Sequence, residues 1–139
     1  MNESILIVDD SVDNLELTQI LLECEGFEVR TAEDAAQALR VLETWRPKLI
    51  LMDVQLPGMD GLELTRRLRQ DPSLRDVLIV ALSAYAMAAE KENARVAGCD
   101  GYITKPINTR TFAGVVRQYL ERPAPAPVVK SGSTVGRGV

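Results

Sequence analysis

The sequence predicts an α/β fold in which a doubly wound, parallel five-stranded sheet is covered by helices on both faces. Short apolar segments typical of buried strands alternate five times with segments of helical periodicity. The connections are short, so each helix must cross over between neighbouring parallel strands. The chain has 139 residues, which suits one domain with a proper core.

Five strands are predicted from their apolar residues and from the turn residues that follow them. Strands 1, 3 and 4 are continuous apolar segments at 5–8, 49–52 and 77–82, which indicates burial on both faces. Strand 2 alternates over 27–31 and is expected at an edge of the sheet. Strand 5 is the short segment 101–104.

Helix 1 is predicted to follow Asp13 and Asn14, whose side chains can cap a helix N-terminus. Gly26 ends it, where a left-handed backbone conformation is favoured. Four residues of helix 1 recur at helical spacing and are expected to face the core: Leu17, Ile20, Leu21 and Cys24.

Similar signals bound the other helices. Helix 2 starts at Asp34 and ends before Pro47, while helices 3 and 4 run over 62–69 and 87–97. Helix 5 places four residues on one face: Phe112, Val115, Val116 and Tyr119.

The composition changes at Arg122, where Pro and Ala alternate before a Gly- and Ser-rich end. Such a segment cannot bury enough apolar surface to fold by itself. We therefore predict a domain over 1–121 and a disordered Pro/Ala/Gly-rich tail over 122–139, which is too short to be an output domain.

Charge and composition exclude several classes of protein. The net charge of −4 gives no electrostatic reason to expect a nucleic-acid partner. No apolar segment approaches the roughly 20 residues that span a bilayer, so a cytoplasmic protein without a membrane partner is expected. The absence of histidine removes histidine-based triads and the usual zinc sites. Cys24 and Cys99 form no CxxC pair and are predicted to be buried free thiols.

Polar side chains follow four of the predicted strands: Asp9 and Asp10, Asp53, Ser83, and Lys105. Because the carboxyl ends of parallel strands share one edge of the sheet, these side chains are expected to lie together. Three carboxylates at that edge would repel one another unless a cation balances them. Oxygen ligands and open coordination positions suit Mg²⁺, with Mn²⁺ as a substitute.

A site of this composition suits phosphoryl transfer. Three carboxylates, one divalent cation and the ammonium of Lys105 sum to zero charge, which leaves the site ready for a phosphoryl group. The carboxylate of Asp53 is a competent nucleophile toward phosphorus and would form an aspartyl phosphate. An acyl phosphate is labile and reversible, which suits signalling.

Five motifs resemble those of the receiver domain of two-component response regulators: residues 8–10, 51–53, 57–61, 81–84 and 102–106. The resemblance covers about residues 4–121 and implies a flavodoxin-like (βα)5 sheet with strand order 2-1-3-4-5. The segments 85–87, 98–100 and 105–107 are especially similar to single-domain DivK-type regulators and to receivers of hybrid kinases.

The resemblance implies a role for each residue of the site. The phosphoacceptor is Asp53. The metal ligands are Asp9, Asp10, Asp53 and the backbone carbonyl of Gln55. The residues that bind the phosphoryl group or switch with it are Ser83, Lys105 and Tyr102. Gln55 and Tyr85 flank the path of the attacking water and tune the lifetime of the phosphoryl group.

The same resemblance implies partners. The donor is a histidine kinase or a histidine phosphotransfer protein, and the chain catalyses only its own phosphorylation and dephosphorylation. A downstream protein would bind the face made by helix 4, strand 5 and helix 5, through Tyr85, Met87, Arg95, Tyr102 and Ile107. The initial Met1 and the tail favour a stand-alone regulator over a receiver excised from a hybrid kinase or larger regulator.

Four alternatives remain open at this point. Ser83 can be an N-cap of helix 4, and Tyr102 can be a tyrosine that only packs beneath a helix. A haloacid-dehalogenase-type hydrolase would need a carboxylate two residues after Asp53, where this chain has Gln55. A flavodoxin-like electron carrier would hold a flavin phosphate in its first loop, which the acidic residues of segment 9–13 would repel.

Overall fold

The structure, a computed structural model, describes residues 3–121. The predicted tail at 122–139 lies outside the described residues. In chain order the elements are β1 (Ser4–Val8), α1 (Val12–Glu23), β2 (Glu28–Ala32), α2 (Ala35–Thr44), β3 (Leu49–Asp53), α3 (Gly61–Arg69), a 3₁₀ turn (Pro72–Leu74), β4 (Leu78–Ser83), α4 (Ala88–Ala97), β5 (Gly101–Thr104) and α5 (Phe112–Glu121).

The five strands form one parallel sheet in the order β2-β1-β3-β4-β5, which confirms the predicted fold. All five residues of the central strand β3 are buried. One apolar cluster fills the space between the sheet and α2, α3 and α4, and a second fills the space beneath α1 and α5. The strand ends that carry polar residues therefore meet at one edge, between two well-packed layers.

None of the helices in the described part of the chain is both long enough and apolar enough to cross a membrane.

The predicted orientation of α1 was wrong. Ser11, and not Asp13 or Asn14, is the N-cap, since its hydroxyl accepts a hydrogen bond from the Asn14 N–H at 3.3 Å. The buried residues of the helix are Leu15, Thr18 and Leu22. Leu17 and Ile20 are 40% and 58% exposed, and Cys24 is exposed as well. Leu21 alone of the predicted residues is partly buried and packs against the cluster beneath α1 and α5.

The physical reason for this difference is a buried threonine. The buried face of α1 also follows helical spacing, over Leu15, Thr18 and Leu22. Because Thr18 is polar, this face does not stand out as an apolar row in the sequence. The Thr18 hydroxyl donates to the Asn14 carbonyl at 2.7 Å, so its burial leaves no unsatisfied polar group.

The second cysteine is buried, as predicted. Burial raises the pKa of the Cys99 thiol to about 11, so this thiol stays protonated at neutral pH.

The two ends of α4 are held differently. Its first residue is Ala88, its N-cap residue is the exposed Met87, and no side chain caps it. Its C-terminal half carries both buried residues of the helix, Ala94 and Ala97, and ends at Gly98 in a left-handed conformation (φ 114°). Packing therefore fixes the helix at the end that is remote from the carboxyl edge of the sheet.

Candidate functional site

Two buried carboxylates and one lysine meet at the carboxyl edge of the sheet, and we call these three residues the floor of the site. Asp53 is the last residue of β3, and Asp9 follows β1; they are 4% and 2% exposed. Lys105 follows β5, and its Nζ lies 2.9 Å from Asp53 Oδ2 and 3.4 Å from Asp9 Oδ2. Parallel pairing of β1 and β4 with β3, and of β5 with β4, therefore brings residues distant in sequence into one charged pocket.

Backbone amides hold the second oxygen of each buried carboxylate. Asp53 Oδ1 accepts from the Gln55 N–H at 3.0 Å, and Asp9 Oδ1 accepts from the Ser11 N–H at 2.9 Å. Each carboxylate thus directs one oxygen at the loop that follows it and the other at Lys105. This arrangement fixes the orientation of both groups before any ligand binds.

The floor is electrostatically unbalanced. Burial raises the pKa of the Asp53 carboxyl above its usual value of 3.8, against the lowering effect of the hydrogen bonds from Lys105 and Gln55. Burial alone would lower the pKa of the Lys105 ammonium, but Asp53 and Asp9 together raise it. Lys105 therefore stays charged, while within residues 3–121 the two carboxylates have no second positive partner.

The donor set fits a divalent cation. Asp9, Asp10 and Asp53 each present a carboxylate oxygen, and these atoms lie within 4.8 Å of one another. Asp10 is exposed, which leaves one side of the cluster open to water. Three carboxylates beside a single lysine are short of positive charge, and hard oxygen ligands with open positions are those that Mg²⁺ prefers.

Ser83 lies deep in the site. It is the last residue of β4 and is 2% exposed, and its Oγ accepts from the Tyr85 N–H at 3.1 Å. Because α4 begins five residues later, with Met87 as its N-cap residue, the alternative that Ser83 caps this helix was wrong. The Ser83 hydroxyl instead supports the loop between β4 and α4.

Three polar side chains border the mouth of the site, and we call Gln55, Tyr85 and Tyr102 the rim. Gln55 Nε2 donates to the Tyr85 hydroxyl at 3.3 Å, and the Tyr102 hydroxyl donates to the Tyr85 carbonyl at 2.6 Å. The Tyr102 N–H in turn donates to the Tyr119 hydroxyl at 3.3 Å. A continuous row of polar contacts thus runs from the loop after Asp53 to α5.

A sequence model of the response regulator receiver domain matches residues 5–117. The chain belongs to this family. The Polar-differentiation response regulator DivK of Brucella anthropi is 39% identical to it over 120 residues, which cover 86% of this chain and 98% of that protein.

Solved receivers share the fold. A CheY-like receiver domain protein from Methanospirillum hungatei is 32% identical with a TM-score of 0.79, and the match covers 87% of this chain and 95% of that one. The chemotaxis response regulator CheY4 of Vibrio cholerae is 27% identical with a TM-score of 0.81, over 85% of this chain and 98% of that one.

Four of the residues that were predicted to contact a target are at least partly exposed to solvent. Tyr85 and Met87 are exposed, Tyr102 is half-buried, and Arg95 is exposed and paired with Glu92 at 2.6 Å. Val96, which lies on α4 beside Arg95 in the sequence, is also strongly exposed and was not predicted.

Ile107, the fifth of these residues, is half-buried. It packs with the apolar cluster beneath α1 and α5, and it lines a cavity of about 320 Å³ together with Leu17 and Lys105. The cavity adjoins the floor on the side of α1, because Asp9 lines it too.

Two residues of the receiver's site were missed by sequence reasoning. Tyr119 was assigned only to the core face of α5, and Gly61 was included only as part of the motif 57–61. Glycine itself was a usable signal for both, because a Cβ at Gly101 would overlap the Tyr119 ring and a Cβ at Gly61 would overlap the Asp53 carbonyl oxygen.

Proposed function

We propose that this receiver accepts a phosphoryl group on Asp53 from a phosphohistidine of a histidine kinase or a histidine phosphotransfer protein. The observation that carries the proposal is the contact of 2.9 Å between Asp53 Oδ2 and Lys105 Nζ, in a buried pocket with a second carboxylate. Asp53 ends the central strand, makes the shorter contact with Lys105, and stands at the acceptor position of the family motif.

In the proposed step, a carboxylate oxygen of Asp53 bonds to phosphorus while the bond from phosphorus to the donor's imidazole nitrogen breaks. That nitrogen keeps the electron pair of the broken bond. Lys105 would lie beside the phosphoryl oxygens and carry part of their charge. A bound Mg²⁺ would neutralise the remainder, held by Asp9, Asp10, Asp53 and the backbone carbonyl of Gln55.

The proposed output begins at Ser83. In bonding with a phosphoryl oxygen on Asp53, its hydroxyl would move toward that group and away from the Tyr85 N–H, which would loosen the loop between β4 and α4. Tyr102 is bonded to the carbonyl of Tyr85, so a shift of this loop would also change the position of Tyr102. One or two charge-assisted hydrogen bonds supply the few kcal/mol that such a two-state shift needs, about 1.5–3 kcal/mol each.

The altered surface would then bind a target protein. Three exposed side chains, those of Tyr85, Met87 and Val96, lie on or before α4, the helix that lacks a side-chain cap at its N-terminus. A helix that is fixed only at its far end can reposition at little cost, and this supports α4 as the element that a partner reads.

The solvent face of α1 is the surface that we propose for the phosphohistidine donor. A donor must bring its imidazole to Asp53, so it must cover the surface that adjoins the floor. Leu17 and Ile20 are exposed on that surface, and Leu17 also lines the cavity shared with Asp9 and Lys105. Burying these side chains would add apolar contact to a complex whose chemistry is ionic.

We propose that the chain acts as a single-domain regulator, because the match with DivK spans 98% of that relative. Its catalysis would be limited to its own phosphorylation and dephosphorylation. The cytoplasmic location and the absence of a nucleic-acid or membrane partner stay predictions.

Acetyl phosphate tests the proposed function directly. Wild type with Mg²⁺ should gain one phosphoryl group by intact mass, and EDTA should abolish the gain. Asp53→Asn should gain none, whereas Asp34→Asn, which keeps a capping side chain on α2, should be labelled like wild type. Labelling of Asp53→Asn at the wild-type level would overturn the proposal.

A further inference from the structure

The first residue of α3 lies directly against the backbone of the proposed phosphoacceptor. A Cβ built on Gly61 would overlap the carbonyl oxygen of Asp53, and it would lie 2.9 Å from the carbonyl carbon and 3.0 Å from Val54 Cα. All three atoms belong to the main chain, so no side-chain rotation can relieve the overlap.

The requirement at Gly61 is for space and not for an unusual backbone conformation. Three other glycines, Gly26, Gly58 and Gly98, have a positive φ, and Gly61 is not among them. Gly58 shows the opposite situation, since its φ is 81° while a Cβ there would meet nothing within 4 Å. Gly58 in the loop and Gly61 at the start of α3 are thus needed for different physical reasons.

Hydrogen bonds fix the position of the peptide that Gly61 touches. The Gly61 N–H donates to the Val54 carbonyl at 2.8 Å, and the Val54 N–H donates to the Leu82 carbonyl of β4 at 3.0 Å. Thr65 is fully buried, and its hydroxyl donates to the Gly61 carbonyl at 2.9 Å. The chain just after Asp53 is thereby held between the first turn of α3 and the end of β4.

The atoms that would hold the metal lie on either side of this peptide. The Asp53 carboxylate precedes it, and Gln55, whose N–H bonds to that carboxylate at 3.0 Å, follows one residue later. A displacement of the peptide would move both groups relative to Asp9 and Lys105, which are fixed by other strands.

We infer that Gly61 is a positioning residue of this site: because it lacks a side chain, α3 can rest on the peptide after Asp53 and set the separation of the metal-binding oxygens. This inference rests on the proposed function. It assigns to the start of α3 a role in metal affinity that is separate from its role in the fold.

The test is a Mg²⁺ titration of the full chain by calorimetry, with the folded fraction followed by circular dichroism. Gly61→Ala should bind Mg²⁺ about ten- to a hundredfold more weakly, the range seen when a group that supports a metal ligand is altered. Gly114→Ala is the matched control, since that glycine is exposed on α5 and a Cβ there meets nothing within 4 Å. It should leave Mg²⁺ affinity unchanged.

A second control separates displacement from general destabilisation. Leu68→Val removes a methylene from the buried far end of α3, so it should lower stability while leaving Mg²⁺ affinity unchanged. If Gly61→Ala does not fold, Thr65→Val takes its place, because it releases the Gly61 carbonyl without a steric overlap. Thr65→Val should bind Mg²⁺ roughly two- to tenfold more weakly, as expected for one lost hydrogen bond.

Two outcomes distinguish this inference from the proposed function. In the first outcome, wild type binds Mg²⁺ and accepts phosphate, and folded Gly61→Ala (or Thr65→Val) has the Mg²⁺ affinity of wild type. This outcome would overturn the inference alone. Wild type that neither binds Mg²⁺ nor accepts phosphate would overturn both.

Discussion

The floor and the rim of the site differ in how their polar groups are held. In the floor, Asp53 and Asp9 are buried and lie 2.9 and 3.4 Å, respectively, from the Nζ of Lys105. In the rim, Tyr85 is exposed and is joined to Gln55 and Tyr102 by hydrogen bonds that water can replace. Charge interactions strengthen as water is excluded, whereas one exposed hydrogen bond contributes about 0.5–1.5 kcal/mol.

This difference teaches that the two regions carry different parts of the proposed function. Changes in the floor should alter whether phosphoryl transfer occurs at all. Changes in the rim should alter how long the group stays and how its presence reaches α4.

Removing the lysine of the floor should have the largest effect. Lys105→Met takes away the only cation of the floor, so phosphorylation by acetyl phosphate should slow by about a hundredfold, as for loss of one group that stabilises developing charge. Rates are measured by intact mass at saturating Mg²⁺. Lys91→Met, which changes an exposed lysine of α4, is the control. A Lys105→Met rate equal to wild type would contradict the role given to the floor.

The floor should also make stability depend on pH and on metal. Since the pKa of Asp53 is raised in the folded state, the ionised group lowers stability once the pH rises above its usual value of 3.8 and through the folded pKa. In EDTA at pH 7, Asp53→Asn should therefore be more stable than wild type. The gap should close as the pH falls toward about 4.

Magnesium should reverse this order of stability. At a hundred times its Kd, Mg²⁺ should stabilise wild type by about 2.7 kcal/mol, and Asp53→Asn should gain less. Urea unfolding with and without EDTA measures both differences. If Asp53→Asn is no more stable than wild type in EDTA, the floor does not carry uncompensated charge.

Ser83 lies between the two regions, and its loss should uncouple them. Ser83→Ala should still accept phosphate, because the floor is intact, but it lacks the hydroxyl that would move from the Tyr85 N–H. Amide NMR spectra with and without beryllofluoride, an analogue of the phosphoryl group, should show smaller shifts over residues 85–108 than in wild type. Ser73→Ala is the surface control. Wild-type shifts in Ser83→Ala would exclude the hydroxyl as the link.

The smallest effect is expected at the rim. Tyr85→Ala removes the ring beside the site and its bond with Gln55, so loss of phosphate should speed up by roughly two- to tenfold, the equivalent of one hydrogen bond. Tyr85→Phe keeps the ring and should have the weaker effect, which separates shielding from bonding. Decay at the wild-type rate in Tyr85→Ala would rule out both contributions.

The same contrast explains how much could be predicted from the sequence. The floor was predictable, because a polar residue after an apolar strand has a fixed place in a parallel sheet, as with Asp53 and Lys105. The contacts of the rim depend on loop conformations, which periodicity does not encode. The prediction of the packed face of α1 was wrong because Thr18 is polar and yet buried. Its hydroxyl donates to a carbonyl of its own helix, which makes that burial possible. The glycine at position 61 was visible in the motif 57–61, but its close approach to the Asp53 carbonyl was overlooked, because periodicity does not show which main-chain segments touch.

Mapping the phosphorylated residue tests the central claim most directly. Wild type is treated with acetyl phosphate and Mg²⁺ and then reduced with borohydride, which converts an aspartyl phosphate to homoserine. Peptide mass spectrometry should find homoserine at position 53 and unmodified aspartate at positions 9 and 10. Homoserine at position 9 or 10, with Asp53 unmodified, would contradict the account.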